Sequence, residues 1–422
     1  MTNEIVCPFI VDEFNLSKEE KEKLEIAIVL INAELEKKKK EKLQFAGKLY
    51  YPFYVVPISK DIYMIFDSLK LFGEKIRLKD IESILEMDPD IKLVDPNRDE
   101  FISQINDFSK KINEIISSKG EKFRLDGLLN NQLTSDLGEF VDICEKSSNE
   151  IVKINEKMTE KEVLDKSSVF SKLFDLELGK FISYELKTIH SIDSALIKIY
   201  NKCISKIEGY DNEIKNLESF IESINKAKSN EELEEQLNKY EKQYNQTEKS
   251  KDDEISKLDK KEKVLYNSKD RLHESYNELI KYITEIQHEI GEFGIHLKDN
   301  TIVYRNTPSI VYLPIYVLEF IKKKKKTRFS YVVPGILKKR KNSSQTIKKS
   351  ENLTRFETVL SKNYKNDLFE GAKKDQIKNI LENFEETKQL FYDGINLISE
   401  NKWIESGTYV KVMDHYNVYF KK

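Results

Sequence analysis

Apolar residues recur at alternating steps of three and four through the middle of the chain, which is the spacing of a coiled-coil seam. The first seam consists of Leu196, Tyr200, Cys203, Ile207, Tyr210, Ile214, Leu217, Ile221 and Ile224. The second consists of Ile255, Leu258, Glu262, Leu265, Lys269, Leu272, Tyr276, Leu279, Ile283, Ile286, Ile290 and Phe293. Ten of these twelve are apolar or aromatic. The pattern predicts a long helical hairpin over residues 191–294.

The pairing of the two seams predicts where this hairpin turns. Facing residues of an antiparallel pair have a constant sum of residue numbers, and matching apolar positions gives sums of 495 to 497. These sums predict a tip near residue 248. A rival tip lies at 226–230, where the heptad phase breaks and Ser229 and Glu232 form a capping-box pattern. A parallel dimeric coiled coil is a further alternative, but it requires one continuous helix.

Aromatic and β-branched segments lie on both sides of the helical region. Residues 47–56 and 61–66 predict one β-hairpin, and residues 310–320 and 328–333 predict a second. Both contain the pattern Y-x-P-x-Y-V, starting at Tyr50 and Tyr312. Proline interrupts strand pairing, so Pro52 and Pro314 are expected at a strand edge or bulge. The alternative is that the likeness is a coincidence between two aromatic strands.

Periodic segments predict helices in the rest of the chain. Capping boxes mark two helix starts, at Ser17 with Glu20 and at Thr159 with Glu162. The predicted helices span 16–42, 99–118, 132–157, 159 into the coiled coil, 353–364 and 375–401. A strand or two is predicted over 408–420, where tyrosine and valine are frequent.

An isolated hairpin is marginally stable, so the two β-segments are expected to form one sheet. The predicted fold class is α+β and predominantly α-helical. Residues 1–190 and 295–422 would form a globular body with a small sheet, and residues 191–294 would form the inserted hairpin. This layout resembles the head and arm of SMC-type chromosome-organising ATPases. No GxxxxGK[ST] phosphate loop occurs, so the resemblance is one of layout and implies no ATPase activity.

Charge is distributed unevenly along the chain. The 422 residues carry a net charge of −3, but residues 320–350 contain no Asp or Glu and twelve basic residues. The candidate nucleic-acid-binding residues are Lys322, Lys323, Lys324, Lys325, Lys326, Arg328, Lys338, Lys339, Arg340 and Lys341. Such a cluster can grip a phosphate backbone without reading sequence. It can also contact an anionic membrane surface or an acidic protein, or form a solvated loop. Lys37–Lys40 reads as a solvated helix face.

One group of residues could carry enzymatic chemistry, but it has a structural alternative. Asp88, Asp90 and Asp95 could hold Mg²⁺ or act in acid–base catalysis, but Asp-Pro pairs also form turns. No catalytic, metal or cofactor site is predicted. Three widely spaced cysteines, no signal peptide and no apolar stretch near 20 residues favour a cytoplasmic protein.

The expected function is therefore that of a non-enzymatic coiled-coil scaffold or bridging protein. It would contact DNA or RNA through the basic hairpin and loop, and a protein partner or a second copy through the coiled coil. The alternative is an adaptor subunit of an ATPase or membrane-associated machine without nucleic-acid binding. A hydrolase or nuclease using the three aspartates is a third class.

Overall fold

The computed structural model describes residues 3–12, 14–78, 81–87, 99–118, 121–146, 151–227, 231–298, 301–303, 307–322, 326–337, 351–363, 376–404 and 406–420. It is an α+β fold in which helices predominate, as the sequence predicts. The chain forms two compact units. The sheet unit comprises residues 1–77, 122–175 and 287–422, and the helical unit comprises residues 78–121 and 176–286.

The strands and the helices of the described residues both differ widely in length. The strands are β1 (Asn3–Val6), β2 (Ile10–Asp12), β3 (Glu41–Pro57), β4 (Tyr63–Asp67), β5 (Gly73–Leu78), β6 (Glu121–Asp126), β7 (Glu145–Lys146), β8 (Gly294–Ile295), β9 (Ser309–Lys322), β10 (Lys326–Val332) and β11 (Gly335–Leu337). The helices are α1 (Lys18–Glu36), α2 (Ile81–Glu86), α3 (Asp99–Ser117), α4 (Asn131–Val141), α5 (Glu160–Phe174), α6 (Leu178–Lys226), α7 (Glu231–Gly291), α8 (Glu351–Asn363), α9 (Phe384–Glu400) and α10 (Ser406–Tyr419).

Strands from both ends of the chain build one mixed sheet, as predicted. Its order in the described residues is β7-β1-β9-β3-β4-β8, with β10 also paired to β9. The long strands β3 and β9 run antiparallel at its centre. Both predicted hairpins are present, as β3–β4 and β9–β10. Strand β5 pairs with β6 in a separate two-stranded sheet.

The two Y-x-P-x-Y-V segments pair with each other in the middle of this sheet. Tyr50 lies opposite Pro314, and Pro52 lies opposite Tyr312, so the pairing is locally symmetric. The expectation that the prolines lie at a strand edge or bulge is wrong. Along one side of β9, pairing with β1 ends at Tyr312 and pairing with β10 begins at Tyr316. Pro314 lies between these partners, where its missing amide hydrogen costs no ladder bond.

Alternation along the central strands creates a core on each face of the sheet. Leu49, Tyr51, Phe53 and alternate residues of β9 belong to a core that includes α4 and α8. Residues of the opposite parity, such as Leu318 and Phe320, pack with α1, α9 and α10. Period-two alternation between two covered faces explains why almost all of β9 is buried.

The helical hairpin turns at a different place from the one predicted. Helix α6 ends at Lys226 and α7 begins at Glu231, so the predicted tip near residue 248 is wrong and the rival tip at 226–230 is right. Cross-helix ion pairs confirm the register, because Lys206–Glu254 and Asp211–Lys251 have sums of 460 and 462. Residues 228–230 themselves lie outside the described residues.

The predicted domain boundaries also need correction. The helical unit includes α3, whose Phe108 ring lies 5.1 Å from that of Tyr276 on α7. Tyr282 Oη donates a hydrogen bond to the carbonyl of Ile115 on α3, at 3.4 Å. The second seam therefore packs against a third helix as well as α6, and the unit draws on residues well outside 191–294.

Two further segments differ from the sequence prediction. Residues 408–420 belong to helix α10 and its end rather than to strands. Val412, Tyr416 and Phe420 are buried at intervals of four, so helical packing outweighs their local strand preference. The helix predicted over 132–157 ends at Val141 instead, and the chain then enters β7. Both capping boxes form as predicted.

Candidate nucleic-acid interface

The lysine-rich turn after α1 lies beside the end of β9 at one end of the central sheet. The C-terminal residue of β9, Lys322, pairs with Glu41 of β3 on one side and with Lys326 of β10 on the other. The preceding residue, Ile321, pairs with Lys42. This register brings the α1–β3 turn next to Lys322, although about 280 residues separate them in sequence.

A tight turn presents the lysines that follow α1. The amide of Glu41 donates to the carbonyl of Lys38 at 3.0 Å, and the amide of Lys38 donates to Glu41 Oε2 at 3.0 Å. Lys40 has a φ of 71°, the left-handed conformation that such turns require. The resulting exposed cations, which we call the basic edge, are Lys38, Lys39, Lys40, Lys42 and Lys322.

Arg328, one of the predicted binding residues, is held inside the sheet unit. Its Nη2 lies 2.8 Å from Glu41 Oε2 and donates to the carbonyl of Glu36 at 3.0 Å. Its guanidinium carbon also lies 4.4 Å from the centroid of the Phe320 ring. The hydrogen bond from Arg328 lowers the pKa of Glu41, so both groups stay charged and satisfied. We therefore exclude Arg328 from the basic edge.

Internal partners satisfy the acidic groups near the basic edge. Glu34 pairs with Lys37 and with His415, and Glu36 accepts a hydrogen bond from Ser330. Within the described part of the chain, no ion pair involves any of the five ammonium groups of the basic edge. Lys38 interacts electrostatically with Glu41 and helps to lower the pKa of that carboxyl. The charge of the other four is available to an external anion.

The structure describes three of the ten predicted binding residues, which are Lys322, Lys326 and Arg328. Lys322 is exposed, and Lys326 begins β10. The remaining candidates, which are Lys323, Lys324, Lys325, Lys338, Lys339, Arg340 and Lys341, lie outside the described residues. Sequence reasoning missed Lys38, Lys39, Lys40 and Lys42 because it assigned this run to a helix face. Their clustering was the available signal, but only strand pairing brings them beside Lys322.

Other candidate chemistry gains no support from the described residues. Asp88, Asp90 and Asp95 lie outside them. Among those that are described, no group of three or more His, Cys, Asp or Glu side chains could hold a metal ion. None of the helices in the same part of the chain combines the length and hydropathy that a membrane span requires.

Comparison with known proteins finds no significant match to a protein family, a curated protein or a solved structure.

Proposed function

We propose that this protein is a non-enzymatic bridging protein that binds the phosphate backbone of nucleic acid through its basic edge. The observation that carries the proposal is that the lysines of the α1–β3 turn meet Lys322 at one sheet end, with the nearby carboxylates satisfied internally. Binding would be independent of base sequence and strongly salt-dependent, because lysine contacts to phosphates act by releasing condensed counterions.

A bridging protein also needs a surface that binds a second partner, and the hairpin of the helical unit offers one. Its hairpin exposes large apolar side chains, among them Ile197 at 61%, Tyr200 at 53% and Phe220 at 54%. Exposed aromatic and aliphatic groups are typical of protein contacts. These side chains equally favour the alternative proposal, an assembly adaptor that binds proteins through the hairpin and does not use nucleic acid.

Fluorescence anisotropy over a salt series tests nucleic-acid binding. The probes are a labelled DNA duplex and a labelled single-stranded RNA, with the full-length chain as titrant. The test variant replaces Lys39, Lys40 and Lys322 by Gln. The matched control replaces Lys110, Lys226 and Lys281 by Gln, since these lysines are 75–77% exposed and contact only carboxylates one helical turn away.

The wild type and the control should bind with the same salt slope. The plot of log K against log salt has a negative slope, and each lost contact to duplex DNA reduces its steepness by about 0.9. The slope of the triple variant should therefore be less steep than that of the wild type by up to about 3. No binding of the wild type at low salt would overturn the proposal and favour the adaptor. Equal slopes for both variants would exclude the basic edge.

A further inference from the structure

Two cysteines that are far apart in sequence lie side by side in the sheet unit. Strand β1 pairs antiparallel with β7 through Ile5 opposite Lys146 and Val6 opposite Glu145. The next pair in this register is Cys7 and Cys144. Their Sγ atoms are 2.8 Å apart, and both thiols are free and buried. The only other cysteine of the chain, Cys203, lies on α6.

The two cysteines directly follow and precede a pair of opposed strand residues, Val6 and Glu145, and this placement suits a disulfide. Directly opposed residues of an antiparallel pair have Cα atoms about 4.5–5.5 Å apart. This lies inside the range of about 4.4–6.8 Å that disulfides span. Both backbones are also anchored, because the amide of Cys7 donates to the Tyr312 carbonyl and that of Cys144 to the Val141 carbonyl. Closing the bond requires the two Sγ atoms to move from 2.8 Å apart to about 2.0 Å.

We propose that Cys7 and Cys144 form a redox-active dithiol that a hydroperoxide oxidises to an intramolecular disulfide. Cys144 is the more exposed, at 8% against 3% for Cys7, so it is the first thiol to react. Its thiolate attacks one peroxide oxygen, the O–O bond breaks, and the products are a sulfenic acid and water or an alcohol.

The second step closes the bond and balances the reaction. The sulfur of Cys7 attacks the sulfenic sulfur, the S–O bond breaks, and the hydroxyl leaves as water with the proton of the Cys7 thiol. Two electrons pass in total from the two thiols to the peroxide. The disulfide ties β1 to the segment that follows α4 and closes a loop across 137 positions.

Burial sets the rate at which this pair responds. Desolvation raises the pKa of the Cys7 thiol well above its ordinary value, so little Cys7 thiolate is present near neutral pH to attack the sulfenic acid. Closure of the disulfide is therefore slow, and a full yield requires prolonged incubation with peroxide. A long closed loop restricts the unfolded chain, so the oxidised protein unfolds at a higher temperature than the reduced protein.

Peptide mapping under non-reducing conditions tests the proposal on the full-length protein. After treatment with hydrogen peroxide, we expect one linked peptide pair containing Cys7 and Cys144, and a fall from three free thiols to one. We also expect the melting temperature to rise by about 10 °C and to return with dithiothreitol. The Cys7→Ala and Cys144→Ala variants should lose both effects.

Cys203 provides a matched control, because it is 8% exposed like Cys144 but belongs to the helical unit. The Cys203→Ala variant should keep the link and the rise in melting temperature. The proposal is overturned if mapping of the wild type finds Cys7 and Cys144 as free thiols or as separate sulfinic acids. It is equally overturned if the only disulfide joins two chains through Cys203. These readouts do not depend on nucleic-acid binding.

Discussion

The two halves of the helical hairpin share one heptad spacing but differ in what covers their seam. We call the part of the hairpin at the start of α6 and the end of α7 the proximal half, and the part towards Lys226 and Glu231 the distal half. In the proximal half, Leu272, Tyr276 and Leu279 of α7 are completely buried, and α3 packs against the same helix. In the distal half, towards the end of α6 at Lys226, the contacts found among the described residues join α6 to α7. Leu217 and Leu258 there keep 7% and 9% of their exposure. Equal spacing therefore yields unequal burial, depending on whether a third helix is present.

Polar contacts replace apolar packing in the distal half. Lys206 lies 2.6 Å from Glu254, and Lys251 lies 2.5 Å from Asp211. The rings of Phe220 and Tyr240 stack at 5.5 Å between centroids. Each of these ion pairs has one partner that stays nearly half exposed, Lys206 at 48% and Asp211 at 41%. Such ion pairs stabilise little, whereas buried aromatic side chains stabilise strongly. The proximal half should consequently dominate the stability of the helical unit, and the distal half should open first.

The largest effect is expected when an aromatic side chain is removed from the proximal half. Tyr276→Ala should lower the free energy of unfolding by about 3–5 kcal/mol, because it leaves a cavity beside α3. Urea denaturation followed by far-UV circular dichroism measures this change. Tyr266→Ala, at a residue of the same type that is 48% exposed, should change it by less than about 0.5 kcal/mol. Similar losses in both variants would contradict the comparison.

Cross-linking then tests the register in which α6 and α7 pair. Phe220→Cys with Tyr240→Cys, in a chain whose native cysteines are alanine, should give an intramolecular product with a short bis-maleimide, because these side chains are in contact. The control pair, Leu217→Cys with Leu279→Cys, belongs to the register with a tip near 248 and should give none. Gel mobility after denaturation distinguishes the outcomes. The reverse result would restore the predicted tip.

The smallest effect is expected from a single distal ion pair. The hydrogen bond from Lys206 lowers the pKa of Glu254 in the folded state. The pair therefore stabilises the fold above the ordinary glutamate pKa, and this contribution is lost as pH falls through the lowered value. Melting temperatures across acidic pH should fall more steeply for the wild type than for Glu254→Gln.

Asp259→Asn is the charge-matched control for this last measurement. Asp259 is exposed on the same helix, and no ion pair is found for it among the described residues. Its replacement should leave the acid dependence of the wild type unchanged. If Glu254→Gln and Asp259→Asn behave alike, the ion pair does not contribute to the distal seam.

Local signals in the sequence predicted local structure well. Ser17 and Thr159 begin helices because each side chain caps a nearby amide, which requires no distant partner. Both β-hairpins likewise follow from adjacent strands with a short connection. The strands predicted over residues 408–420 were wrong. Burial at intervals of four against other helices outweighed the strand preference of tyrosine and valine there.

The basic edge could only be half predicted. The run beginning at Lys322 was visible as an uneven charge distribution in the sequence. Its neighbours Lys39 and Lys40 were visible too, but nothing local connected them with a turn about 280 residues away. The pairing of Lys322 with Glu41 makes that connection. Arg328 shows the reverse, since a cation that looked available in sequence is bound by Glu41.

The sequence alone predicted much of the buried helix faces, because apolar spacing is a property of each helix by itself. Tyr200 is an exception, since this predicted seam residue is 53% exposed while Ile199 beside it is buried. The sequence did not determine the register. Moving the residue-number sum from about 496 to about 461 slides the helices by about 35 positions, which is five heptads and leaves every seam position in phase. Only the tertiary structure decided between them. Packing of α7 against α3 and the short connection after Lys226 favour one register, at the cost of burying Thr247 and Glu254 in the distal seam.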